Sequence, residues 1–385
     1  MLPTLCSRAR ASLGPLLRVA TAKGTGSNVD KNHGTFCSRR NFFATWCARH
    51  HVGDPTLSHV PDYWERNNIM ACYAQSLCCN DNLVFKDLKV GTVDEYLRAA
   101  ASWAINTNHF DPRYDNTGKK GRLLSLVLKE HKRWEKMPSR CHPVTEKLLM
   151  HMHLTSGADE DSLEYALSDW HSVGYSNGMP KGEWCQDKHE PKFKLAPDGS
   201  ALAFTEDDLT LVDRNGARLE LDEISPGRRA AGTDHAWRFQ KNSQNGEVKS
   251  FGRNDAQPHK CCTRATERIL RRARRLGVKR GEPLAVYKDK NGVVRRIHDG
   301  HVEAHLQKAV KAVYKIKDRN ILKKFSCHSI RVGACVALHA AGKDGDFIKF
   351  WLRWRSDTFR DYLRNCRALA MLQIQALNSA HADKA

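Results

Sequence analysis

The stretch FSCHSIRVGACVALHAAGKDGDFIKFWLRWRSDTFRDYLRN, Phe325 to Asn365, decides how the rest of the chain is read. Val336, Ala337 and Ala340 form the apolar face of a helix. His328 and Arg331 stand three residues apart at its start, so both side chains reach one point above its N-terminus. Unpaired backbone N–H groups and two basic side chains make that point a place for an anion. Gly342 ends the helix, Asp346 to Trp351 begins the next, and Tyr362 follows Trp354 by eight residues, flanked by Asp361 and Arg364. Taken singly, His328 reads as a helix-cap histidine, Trp354 as a core anchor and Tyr362 as a packed aromatic. Together on one short segment they point to a shared site.

Charge suggests what the anion belongs to. The 385 residues hold 63 Lys and Arg against 43 Asp and Glu, a net charge of +20 and a pI near 9.5. From Arg264 to Lys317 sixteen basic residues face five acidic ones. A solvated helix face usually mixes its signs, and one dominant sign favours a nucleic acid partner. Arg264, Arg268, Arg271, Arg272, Arg274 and Arg275 decorate one helix whose Ile269, Leu270, Ala273 and Leu276 face inward. Such a row predicts contacts to phosphates, with salt-sensitive affinity that depends weakly on base sequence.

Other classes are excluded by what the chain lacks. No run of about 18 apolar residues offers a membrane span, so no membrane partner is expected. The thirteen cysteines are odd in number and contain no C-x-x-C pair, which argues against a disulfide framework and a zinc site. Glu206-Asp207-Asp208 reads as turn and cap residues rather than as metal ligands. No metal and no cofactor are expected, and the thiols read as reduced core residues of an intracellular protein. Met1 to Asn28 is basic without an acidic residue, either a disordered arm or an organelle-targeting segment. With DNA as partner, the expected compartment is the nucleus, organelle targeting by residues 1–28 being the alternative.

Periodicity divides the rest. Residues 1–35 read as the arm. Residues 36–137 carry amphipathic helices over Ser38 to His50, Thr92 to Thr107 and about Gly121 to Lys136. Pro138 and Pro143 then break the pattern. Residues 143–385 open with helices, Thr145 capping the first, and switch to a period of two at Leu209 to Val212 and Ala217 to Leu221. A hairpin over Ala236 to Phe251 closes around Asn245-Gly246, and helices return at Cys261 to Leu276 and Asp299 to Lys315. The fold class is mainly α with a small antiparallel sheet.

In the order His-x-x-Arg, Gly, Arg-Trp-x-Ser-Asp and Tyr, the segment Phe325 to Asn365 resembles the C-terminal signature of tyrosine recombinases, the phage-integrase-type site-specific recombinases, and most of all their eukaryotic mobile-element forms. The resemblance extends loosely to TVDEYLRAAASW and DPRY in the first region. It implies a helical core-binding, DNA-binding domain followed by a mixed α/β catalytic domain, the two clamping double-stranded DNA, with homo-oligomers, commonly tetramers, on paired sites.

The resemblance also implies roles. Tyr362 is the nucleophile that forms a 3′-phosphotyrosyl link. Arg331 and His328 hold the phosphate, and Trp354 takes the family's His or Trp position, where an indole N–H can only donate. The acid for the departing oxygen is a hairpin lysine, Lys241, with Lys249 as the alternative on the same hairpin. Joining then needs neither ATP nor metal. The family's first catalytic arginine falls in Gly178-Met179-Pro180-Lys181-Gly182-Glu183-Trp184, with Pro180 at its position. Lys181 is the neighbouring cation, expected to contact DNA and to substitute for that arginine only as a point charge without a bidentate fork, and Glu183 is expected to be buried against backbone donors. The alternative to an enzyme is a DNA-binding remnant that has lost the chemistry.

Overall fold

Buried stripes at helical spacing account for most of the backbone. The computed structural model describes residues 30–78, 88–135, 140–189, 193, 195–196, 199–225, 227–240, 245–357, 359–363 and 369, with backbone alone at 30–33 and 361. The chain divides into two compact units, Met1–Pro138 and Ser139–Ala385.

The first unit is built from α1 (Asp30–Arg49), α2 (Tyr63–Cys78), α3 (Val90–Asn108) and α4 (Arg122–Trp134). Val93, Leu97, Ala100 and Ala101 of α3 lie on one face and pack with Phe43, Trp46 and Cys47 of α1, Met70, Tyr73 and Leu77 of α2, and Leu124 and Leu128 of α4. Small alanines on α3 let α1 approach closely, and the Phe43, Trp46 and Tyr73 rings fill the remaining space. Helix α2 lies outside the expected set. Its first turns, Glu65 to Asn68, are polar, and Asn67 is nonetheless buried because its amide donates to the Tyr63 and Tyr114 carbonyls.

The second unit opens with α5 (Glu146–Leu154) and α6 (Leu163–Asn177). Their first turns are capped by Thr145, accepting from Leu148 N–H at 3.4 Å, and Ser162, accepting from Tyr165 N–H at 3.3 Å. A four-stranded antiparallel sheet in the order β2-β1-β3-β4 follows: β1 (Leu209–Val212), β2 (Arg218–Leu219), β3 (Gly232–Trp237) and β4 (Glu247–Gly252). Then come α7 (Cys262–Arg275), a ribbon of β5 (Val286–Lys288) with β6 (Val294–Arg296), α8 (Asp299–Tyr314), α9 (Arg319–Leu322), α10 (Cys327–Ala340), α11 (Gly345–Leu352) and α12 (Phe359–Leu363). The fold is mainly helical with a small antiparallel sheet, as the sequence leads one to expect.

One turn differs from expectation. The ladder ends at Trp237 paired with Glu247, so residues 238–246 connect β3 to β4 in place of a two-residue Asn-Gly turn. Gly246, at φ +84°, donates its N–H to the Trp237 carbonyl at 2.7 Å and closes the ladder. The ribbon β5-β6 is a further addition to the sequence reading.

Helix α6 is the axis of this unit. Ala166, Leu167, Trp170 and Val173 are fully buried, and Trp170 stacks on Trp184 with ring centroids 5.3 Å apart. Trp184 follows a 3₁₀ turn at Lys181–Glu183, so the stacked indoles pin that turn to the core. The turn forms one wall of the site.

Candidate active site

Two helix ends converge on Arg331. Its Nη1 donates to the Gly178 carbonyl at 2.8 Å, at the C-terminus of α6, and its Nη2 to the Leu352 carbonyl at 3.3 Å, at the C-terminus of α11. Unpaired carbonyls at helix C-termini carry partial negative charge and hold a cation there. Gly178 sits at φ +60°, and a Cβ on it would lie 2.6 Å from Leu352 Cδ2. Only glycine lets the two ends close on the guanidinium.

Around Arg331 the structure brings together the other residues of the C-terminal segment. The Trp354 ring lies under the Arg331 guanidinium, 4.8 Å from ring centroid to Cζ. His328, one turn before Arg331 on α10, places Nε2 2.9 Å from the Tyr362 hydroxyl. The Tyr362 ring packs 5.5 Å from Trp354 and against an apolar patch that includes Val332, Val336 and Leu363. Its apolar body is therefore seated in the wall while its hydroxyl faces His328. A cavity of about 530 Å³ opens here, and its lining includes Pro180, Lys181, Glu183, Gln240, Glu303, Ser326, His328, Arg331 and Arg353.

Burial shapes the protonation states. It lowers the Arg331 guanidinium to about 10, with Glu183 opposing and the Arg353 charge adding to the effect, so Arg331 stays cationic at neutral pH. The His328 imidazole is held below its ordinary value, by burial first and the Arg331 charge second. The Tyr362 phenol is raised by burial, against the pull of Arg331 and Arg140. At neutral pH the pair is thus a neutral imidazole beside a protonated phenol, the arrangement for proton transfer from Oη to Nε2. Should Tyr362 act as a nucleophile, as the resemblance implies, its rate of attack is expected to be nearly constant around pH 7. It should fall as His328 becomes protonated, below its ordinary value of about 6.5. A rate of adduct formation that rises on acidification would exclude proton transfer to His328.

Sequence reading gave no role to one cation of this cavity, the Arg of Arg-Trp-x-Ser-Asp. Arg353 is 4% exposed, sits at φ +57° as the C-cap of α11, and forms a two-pronged ion pair with Glu183, Nη2 to Oε2 at 2.8 Å and Nη1 to Oε1 at 3.2 Å. Nη1 also donates to Gln240 Oε1 at 3.0 Å, and the guanidinium stacks 4.0 Å from the Trp237 ring centroid. Glu183 is therefore partnered by side chains, Arg353 and the Trp237 indole N–H, in place of the expected backbone donors. The available signal was a long cation directly after the last turn of a helix, where glycine is the usual residue.

The other expected residues are placed as follows. Pro180 lines the cavity and carries no side-chain donor. Lys181 is at the cavity, its ammonium held by Asp299 and by Asp187 at 3.3 Å. Lys249 is buried on β4 and donates to the Phe350 and Trp351 carbonyls at 2.7 and 2.6 Å, so it fastens the end of α11 and stands off the cavity. Lys241, Arg364, the arm 1–28 and the apolar segment Cys366 to Ala380 lie outside the described residues, Leu369 apart.

The arginine row of α7 does not present a bare cationic face. Arg268 and Arg272 are turned inward to Asp169, which is fully buried. Arg268 reaches it at 2.6 Å, and Arg272, 1% exposed, also donates from Nε to the Glu160 carbonyl. Arg275 pairs with Asp161 and Glu160, Arg274 with Asp222, Arg271 with Glu267 and Arg264 with Asp255. Glu267 lies on α7 itself and Asp255 just before it, but Asp169, Asp161 with Glu160, and Asp222 come from distant parts of the chain, so the run of sequence hides most of the balance. Arg264, Arg271, Arg274 and Arg275 keep part of their side chains in solvent, whereas Arg272 has no surface to offer a phosphate.

Among the described residues no helix is long and apolar enough to cross a membrane, and no cluster of metal-ligating side chains occurs. No family model and no curated protein sequence matches the chain. Solved structures that align with it are tyrosine recombinases and integrases. A lambda integrase dimer bound to a COC′ core site aligns at 12% identity over 91% of this chain and 94% of that one, with a TM-score of 0.46. A Tn1549 transposon integrase in complex with transposon right end DNA aligns at 13% identity over 81% and 85%, with a TM-score of 0.42. The XerA recombinase aligns at 13% identity over 96% and 97%, with a TM-score of 0.36. At TM-scores below 0.5 these alignments assign no residue of this chain a role.

Proposed function

We propose that the protein is a site-specific recombinase or integrase of the tyrosine type, of mobile-element origin, that cuts and rejoins double-stranded DNA. The observation that carries this reading is the Tyr362 hydroxyl 2.9 Å from His328 Nε2, beside Arg331. Tyr362 Oη attacks a backbone phosphorus, the bond from phosphorus to the 5′ oxygen breaks, and a 3′-phosphotyrosyl ester forms. The phenolic proton passes to His328, and the leaving 5′ oxygen takes a proton from a general acid, for which Lys241 is the candidate. Attack by a 5′ hydroxyl reverses each step, so the bond energy is conserved and no ATP, metal or cofactor enters.

Negative charge grows on the non-bridging oxygens during attack. The fixed guanidinium of Arg331 stabilises it better than reorienting water does. Trp354 supports that guanidinium from below. The partly exposed arginines of α7, Arg264, Arg271 and Arg275, are the candidates for phosphate contacts outside the site, and a homo-oligomer, a tetramer on paired sites, is the working assembly in the nucleus.

A second reading is favoured by Pro180: a DNA-binding remnant without chemistry. Incubation with a nicked suicide duplex separates the two. The recombinase leaves a covalent protein–DNA band that Tyr362→Phe abolishes while gel-shift binding stays within about fivefold, since one hydroxyl is worth on the order of 1 kcal/mol. Free DNA from both proteins, with equal gel shifts, would leave only the remnant.

A further inference from the structure

We propose that Arg353 supplies the second guanidinium of the phosphate site, in place of the side chain that Pro180 lacks. This rests on the reading of the cavity as a phosphate site and gives Arg353, the Arg of Arg-Trp-x-Ser-Asp, a role that the resemblance does not assign it.

Four observations support it. Arg353 lines the same cavity as Arg331 and His328. Its backbone is left-handed at the C-cap of α11, φ +57° and ψ +47°, a conformation that disfavours any residue with a Cβ. A merely structural cap would be better served by glycine. The guanidinium plane is fixed on two sides, by Glu183 through both carboxylate oxygens and by the face of Trp237, so it does not have to reorganise when charge develops nearby. Glu183 belongs to the Lys181–Glu183 turn that Pro180 starts. That turn therefore carries no guanidinium of its own and instead holds one from another helix at its side of the cavity. Lys181, the other cation of the turn, is committed to Asp299 and Asp187.

Arg331 reaches the cavity from α10 and Arg353 from the end of α11, so two planar forks stand at one hollow, with Glu183 between the turn and Arg353 and Glu303 also on the lining. A phosphodiester oxygen entering the hollow meets cations from two directions.

The test uses the full chain and inorganic phosphate as probe, titrated by calorimetry. Arg353→Gly relieves the backbone strain while removing the guanidinium, and Arg353→Gly/Glu183→Gln also removes the orphaned carboxylate should the single variant fold poorly. Thermal melting confirms that the proteins are folded. Phosphate affinity is expected to fall about tenfold or more in the Arg353 variants, as in Arg331→Ala, a loss of about 1.4 kcal/mol. Wild-type affinity in a folded Arg353 variant, or no phosphate binding by the wild type, overturns the proposal. The suicide-duplex assay is read separately. Absence of a wild-type adduct with phosphate binding still dependent on Arg353 sinks the strand-transfer reading and leaves this one standing.

Discussion

Arg331→Ala is expected to lower covalent adduct formation on a suicide duplex by about 10²- to 10³-fold, the loss typical of removing one preorganised donor to a developing oxyanion. DNA binding should change far less, because the guanidinium is largely buried between the Gly178 and Leu352 carbonyls and on the proposed function would meet one phosphate among many. Arg331→Lys should rescue little. A lysine ammonium cannot span two carbonyls of separate helices and also present a planar edge above Trp354. Single-turnover rates on a nicked duplex check this. Equal rates for wild type and Arg331→Ala would remove Arg331 from the chemistry.

The second large effect is on stability. Asp169→Ala removes the carboxylate that pairs with both Arg268 and Arg272 inside the second unit, leaving two guanidinium groups without their counter-charge. Breaking a buried pair from one side costs about 3–5 kcal/mol. For a unit of this size the melting temperature should drop on the order of 10 °C. By contrast Asp222→Ala strips only the exposed Arg274 of its partner, and its effect should stay within about 1 kcal/mol. Thermal melting of the two variants side by side checks the contrast. An equally mild Asp169→Ala would mean that the arginines of α7 are free to turn outward, which would restore them as phosphate contacts.

These two cases show where sequence was informative and where it was not. Helices with an unbroken apolar stripe and a capping hydroxyl, such as α6 after Ser162, follow from spacing alone. Helix α2 does not, because its buried Asn67 finds an acceptor for its amide NH2 in a carbonyl 47 residues away. The strands β5 and β6, VYK and VRR, are too short and too charged to show a period of two. In the site, His328, Arg331, Trp354 and Tyr362 share one segment: helical spacing joins His328 to Arg331, and the packing of α10, α11 and α12 on one another brings Trp354 and Tyr362 to them. Arg353 lies next to Trp354 in sequence, yet the left-handed C-cap turns its side chain to Glu183, 170 residues away, and so to another wall of the same cavity. The row of α7 misled for the same reason: local spacing displays the six arginines, and only the folded chain delivers Asp169, Asp161 and Asp222 to them.

The central claim is that Tyr362 is the group that becomes bonded to DNA. Digestion of the protein after incubation with a suicide duplex, followed by mass spectrometry of the nucleotide-bearing peptide, reads this directly. The account predicts a phosphodiester-linked nucleotide on Tyr362 and on no other residue, lost in Tyr362→Phe. A nucleotide found on a different side chain, or a duplex cleaved with no protein-bound nucleotide, would contradict it.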